Sequence, residues 1–85
     1  MPHFFWTPAA RAALRNIGRA QAREVLIALT QYAHAEQGDV ATLKGEPPGR
    51  LRLRCGEYRV IFRRSGAGRF QILKVGHRRD VYRGE

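Results

Sequence analysis

The 85-residue chain has a single cysteine, Cys55, so no internal disulfide can form. It has one serine, Ser65, in a glycine-rich turn, which argues against a serine triad. Cysteine and histidine nowhere stand at metal-ligand spacing, and the acids are too scattered for a metal site. No glycine-rich phosphate loop precedes a helix, so no cofactor is expected. No apolar run approaches the ~20 residues of a membrane-spanning helix, and no signal-peptide pattern opens the chain. The expected location is the cytoplasm, with no membrane partner. Negative charge is scarce as well. Seven Asp+Glu face 16 Lys+Arg, a net charge of +9. Lysine itself is scarce, with two against fourteen arginines.

What is present is unevenly placed. Residues 1–43 hold four basic and three acidic side chains, whereas residues 44–85 hold twelve and four. The excess therefore lies in strand-like sequence and points to a structured anionic partner, nucleic acid or an acidic protein. A GC-rich genome would raise arginine over lysine without any function. It would not put three arginines on one face of a strand.

From Arg50 to Cys55 arginine and apolar residues alternate strictly, the period of a strand with two unlike faces. Gly56-Glu57 then reads as a two-residue type II′ turn. The resulting hairpin pairs Cys55 with Tyr58, Arg54 with Arg59, Leu53 with Val60, Arg52 with Ile61, Leu51 with Phe62 and Arg50 with Arg63. One face carries Leu51, Leu53, Cys55, Tyr58, Val60 and Phe62. The other carries Arg50, Arg52, Arg54, Arg59 and Arg63, with Ile61 among them. Like charges opposite one another cost sheet stability, so this face is expected to meet a polyanion.

The remaining elements follow from local signals. His3–Trp6 reads as a strand. Thr7-Pro8 is a helix start, with an apolar stripe through Ala9, Ala10, Ala13, Leu14 and Ile17 and a stop at Gly18. A second helix is predicted from Arg19 to Gln37, and the pair is expected to form an antiparallel hairpin. Phe5 and Trp6 are expected to support the core. Residues 39–49 read as a linker anchored by Leu43, because the Gly- and Pro-rich stretch 45–49 suits neither helix nor central strand. Phe70–Val75 is a further strand that Gly76 breaks. Residues 77–83 close the chain, with room for a short last strand. One domain over 1–85, of class α+β, is expected.

The available chemistry is that of Arg, Lys, His, Tyr and Glu. It suits RNA cleavage by the RNA's own 2′-hydroxyl. That reaction needs a base, cationic stabilisation of the phosphate and an acid for the leaving 5′-oxygen. Arginine provides the cation and cannot provide the base. His77, beside Arg78, is the best placed titratable group. Tyr82 is suited to stacking on a base or donating a proton. His3 and His34 read as structural. Arg11, Arg15, Arg19 and Arg23 read as a solvated helix face or as contacts to an acidic partner.

The stretches Leu43-Lys-Gly45, Arg50–Arg54, Gly56-Glu-Tyr-Arg-Val-Ile-Phe62 and Val75-Gly-His-Arg-Arg-Asp-Val-Tyr-Arg83 together resemble toxins of the RelE/ParE superfamily of bacterial type II toxin–antitoxin systems. The closing stretch resembles the RelE branch more than the ParE branch. The resemblance implies a curved antiparallel sheet with a two-helix hairpin packed on one face. It also implies a metal-independent, ribosome-dependent endoribonuclease that cuts mRNA by 2′-hydroxyl attack and so inhibits translation. The implied partners are the ribosome and mRNA, a cognate acidic antitoxin, and operator DNA for the toxin–antitoxin complex. Carried over by position, Arg50, Arg52, Arg59, Arg78 and Tyr82 match the family's site residues; with His77 added as the best placed titratable group, the expected catalytic set is Arg52, Arg59, His77, Arg78 and Tyr82. The RNA-binding set is Lys44, Arg50, Arg52, Arg54, Arg63, Arg79 and Arg83. Arg50 and Arg52 stand where the best-studied branch has lysine, which removes a titratable amine. Either His77 takes part of the base role, or the chemistry leans on electrostatics and on ribosomal groups. The alternative activities are non-enzymatic inhibition of DNA gyrase, as in the ParE branch, and a non-toxic module that binds antitoxin.

Overall fold

The computed structural model describes residues 2–45 and 48–82. The order of elements is β1 (His3–Trp6), α1 (Pro8–Asn16), α2 (Arg19–Ala35), β2 (Asp39–Thr42), β3 (Arg50–Cys55), β4 (Tyr58–Gly66) and β5 (Arg69–His77). The strands form one sheet in the order β1-β5-β4-β3-β2. Every pairing is antiparallel except that of β1 with β5, so the sheet is mixed and not wholly antiparallel. The α+β class stands.

The β3–β4 hairpin has the register that its alternation predicts, from Cys55 opposite Tyr58 to Arg50 opposite Arg63. Gly56 has φ 60° and Glu57 keeps a negative φ, which excludes a type I′ turn and fits type II′.

Thr7 joins helix and sheet. Its Oγ1 accepts from the Ala10 N–H (3.1 Å) and caps α1, with Pro8 in the first turn. The same hydroxyl donates to the Leu73 carbonyl (3.2 Å), and the Thr7 N–H donates to the Ile72 carbonyl (3.1 Å). Thr7→Ala is therefore expected to cost about 1–2 kcal/mol, read as a lower urea midpoint with an unchanged slope.

Four boundaries differ from those predicted. Strand β4 runs through Ser65 to Gly66, so Ser65 lies in the strand and the turn is confined to Ala67 and Gly68. Helix α2 stops at Ala35, because Glu36 takes a left-handed conformation (φ 53°) and its N–H bonds the Tyr32 carbonyl. The stretch read as the start of a linker is an edge strand, with Asp39–Thr42 paired to β3. Strand β5 runs through Gly76 to His77, and the described residues after it form a turn and not a further strand.

The core lies between the helices and one face of the sheet. Ala10, Val25 and Leu29 pack on Leu53, Val60, Phe62, Phe70, Ile72 and Val75, and Leu43 is half-buried. Tyr32 sets its ring edge-on to Phe62, with centroids 5.6 Å apart. Cys55 borders this core, and burial, with Glu24 nearby, pushes its thiol pKa up. No described helix is long and apolar enough to cross a membrane.

Candidate functional site: the arginine face

The sheet face away from the helices is a lattice of rows fixed by strand register. Nearest the hairpin turn, one row reads Asp39, Arg54, Arg59, Gly76. The next reads Ala41, Arg52, Ile61, Lys74. The far row reads Arg50, Arg63, Gln71 and then Phe5 of β1. The five predicted arginines do share a face, but their environments differ.

Arg59 is not a solvated cation. It is 7% exposed, and its Nη1 donates to the carbonyls of Gly56 (2.8 Å) and Tyr58 (2.9 Å). It pins the hairpin turn from beneath. Ile61, its neighbour on the same face, is 1% exposed and lies outside the helix-side cluster. The face is therefore partly covered and is not an open platform. Val81 of the closing turn lies against Gly76, where a β-carbon would come within 3.5 Å of it.

Arg52 and Arg54 share the Asp39 carboxylate, at 3.2 and 3.8 Å. Arg63 donates from Nε to Gln71 Oε1 at 2.7 Å. Arg50 is half-buried at the far end, and Lys44 is exposed in the loop after β2.

The closing segment reaches the turn end of this face. The Arg78 N–H donates to the Glu57 carbonyl (2.8 Å), extending the β4–β5 ladder by one pair. The Arg78 Nε meets Glu57 Oε2 at 2.7 Å, with both side chains exposed. Arg78 thus reaches, from a distance in sequence, the end of the sheet whose nearest row holds Arg54 and Arg59.

His77 does not join them. It pairs with Tyr58 and shares the helix-side face, with the two rings edge-to-face at 5.5 Å. Its Nδ1 accepts from the Arg79 backbone N–H (3.2 Å) and lies 3.5 Å from Arg79 Nε. The lone pair a base would need is thereby engaged. Tyr82 is exposed at 43%, and Arg79 is exposed as well. Arg83, expected to bind RNA, lies outside the described residues.

Four residues escaped the sequence reading. Asp39 was hidden in the assumed linker. Glu57 read only as a turn residue. Lys74, whose Nζ donates to the Val81 carbonyl (3.3 Å), lies in the Arg52 row. Phe5 is 51% exposed on the arginine face and does not support the core. Among the described residues no three His, Cys, Asp or Glu side chains converge as a metal site would require.

The chain is thus a small α+β domain with helices on one sheet face and clustered guanidinium groups on the other. Its family is the ParE toxin of type II toxin–antitoxin systems (parDE): the family model matches residues 4–82, and the chain belongs to that family within the RelE/ParE superfamily.

Solved structures agree on the fold. The YoeB/ParE toxin from Agrobacterium tumefaciens is 19% identical with a TM-score of 0.74, covering 88% of this chain and 96% of that one. The archaeal RelE of the RelE–RelB complex from Pyrococcus horikoshii is 24% identical with a TM-score of 0.72, covering 94% and 98%. The intact RelBE toxin–antitoxin complex of E. coli gives 15% identity and a TM-score of 0.70, covering 91% and 96%. No curated protein sequence matches the chain.

Proposed function

We propose that this toxin cuts mRNA on the ribosome and is held silent by a cognate acidic antitoxin. One observation carries the reading: the ladder extension and ion pair that bring Arg78 to Glu57, at the end of the sheet where Arg54 and Arg59 stand. In the reaction the 2′-oxygen attacks phosphorus and the P–O5′ bond breaks. A 2′,3′-cyclic phosphate and a 5′-hydroxyl result. Arg78 and Arg54 stabilise the charge that gathers on the phosphate, and Arg59 fixes the turn that carries them. An exposed ion pair contributes only about 0–1 kcal/mol, so a phosphate can displace Glu57 from Arg78.

With Nδ1 of His77 engaged by Arg79, proton transfer falls to groups of the ribosome and solvent, and His77 positions the closing turn. Tyr82 contacts a base or the leaving group. His77→Asn, which can still accept from Arg79, is expected to retain cleavage within about threefold. His77→Ala, which cannot, is expected to lose about tenfold by releasing the turn.

The family match to ParE toxins favours a second reading, inhibition of DNA gyrase without catalysis. Ribosomes carrying a defined message, and gyrase with supercoiled plasmid, separate the two. A codon-phased cut is the expected result. Linearised plasmid with intact message would establish the gyrase reading instead.

A further inference from the structure

Phe5 sits on the edge strand with its ring half in water, while its neighbours Phe4 and Trp6 turn inward to the core. Register fixes its surroundings. Phe5 lies beside Gln71, Gln71 beside Arg63 and Arg63 beside Arg50. Two residues back, His3 lies beside Arg69 on the same face. The His3 and Phe5 rings are stacked, with centroids 6.5 Å apart and planes 24° from parallel. An aromatic pair thus borders Arg63 and Arg69, at the end of the face remote from Arg78. Arg63 stands two strands from Phe5, about 10 Å, a gap its long side chain shortens. Its bond to Gln71 uses Nε and leaves the two terminal nitrogens outside that bond.

We propose that Phe5 and His3 form a nucleobase-stacking subsite for single-stranded RNA, with Arg63 and Arg69 gripping the adjoining phosphates. The proposal rests on the RNA reading above and adds a second place on the chain where RNA is held. Flat rings on a sheet face beside guanidinium groups match the two parts of a nucleotide, a base with a π face and a phosphate with charge. An acidic peptide would answer the arginines and leave the ring pair unused. Stacking here holds the strand while the turn end handles a phosphate several residues away along β5.

The test is fluorescence anisotropy of the full chain with a labelled 2′-O-methyl single-stranded oligonucleotide, which cannot be cut. Phe5→Leu keeps size and apolarity and removes the π face. It is expected to weaken binding about tenfold, with the salt dependence unchanged. Phe5→Tyr is expected to restore binding. The inhibition constant of inorganic polyphosphate, which has charge and no bases, is expected to be the same for wild type and Phe5→Leu once the probe's own affinity is taken into account. The proposal is overturned if Phe5→Leu binds the oligonucleotide like wild type, or if polyphosphate binding falls in parallel. A polyglutamate peptide whose binding showed the same dependence on Phe5 would also overturn it, in favour of a protein partner. Message cleavage on ribosomes reports separately. An intact cut with Phe5-independent RNA binding removes the subsite alone, whereas no cut with Phe5-dependent binding removes the cleavage reading alone.

Discussion

Arg59→Ala is expected to melt about 10 °C below wild type and to lose cleavage. The guanidinium is nearly inaccessible and holds two turn carbonyls through one nitrogen. Removing it leaves those carbonyls short of a charged donor and opens a space beneath the turn, at a cost of about 2 kcal/mol. In a domain of this size that corresponds to a shift in Tm of roughly 10 °C. Activity follows because the same turn carries Glu57, to which Arg78 is tied. Arg59→Lys keeps the charge, but its Nζ ends one bond short of the Nη1 that reaches both carbonyls, so it is expected to recover only part of the melting temperature. Scanning calorimetry beside the cleavage assay checks both halves. A variant that melts like wild type would show that the pinning role is wrong.

Arg78→Ala is expected to behave differently. Its side chain is exposed and its ion pair with Glu57 is worth little, so the melting temperature should move by no more than a degree or two. Removing a single cationic group from a reacting phosphate typically costs about 10²–10³ in rate, and a loss of that size is expected here. The split is informative because the Arg78 N–H bond to the Glu57 carbonyl survives the substitution, so the closing segment stays in place. Arg78→Lys should regain part of the rate, since a point charge replaces a bidentate fork.

The parts of this molecule that were legible in the sequence are those set by local period and capping. Alternation together with the two-residue Gly56-Glu57 turn set the hairpin register, and Thr7-Pro8 marked the start of α1 correctly. What was hidden depended on tertiary pairing. Asp39–Thr42 is too short to declare itself and exists by pairing with β3, beside a Gly- and Pro-rich stretch that reads as linker. Three consecutive aromatics, Phe4, Phe5 and Trp6, mask the period-two pattern that sends Phe5 outward. The placement of His77 turns on a bulge. Ile61 pairs with Lys74 and Phe62 with Ile72, so Leu73 is an extra residue that shifts the parity of everything after it. Without the bulge His77 would face the arginines. With it, His77 sits beside Tyr58. The burial of Arg59 was equally silent, because nothing in an Arg-rich strand distinguishes the guanidinium that bonds backbone from those that meet solvent.

Under the two proposals the arginine face divides by end: Arg78 and Arg54 would stabilise charge at the turn that Arg59 pins, and Arg63 and Phe5 would hold the strand at the far row. Single-turnover cleavage of a defined message on saturating ribosomes, run side by side for wild type, Arg78→Ala and Arg63→Ala, tests that division most directly. Arg78→Ala should fall by at least a hundredfold in rate at saturation. Arg63→Ala should keep its maximal rate within about threefold and need more ribosome to reach it. Equal losses of maximal rate in the two variants, or an uncut message with wild-type protein, would contradict it.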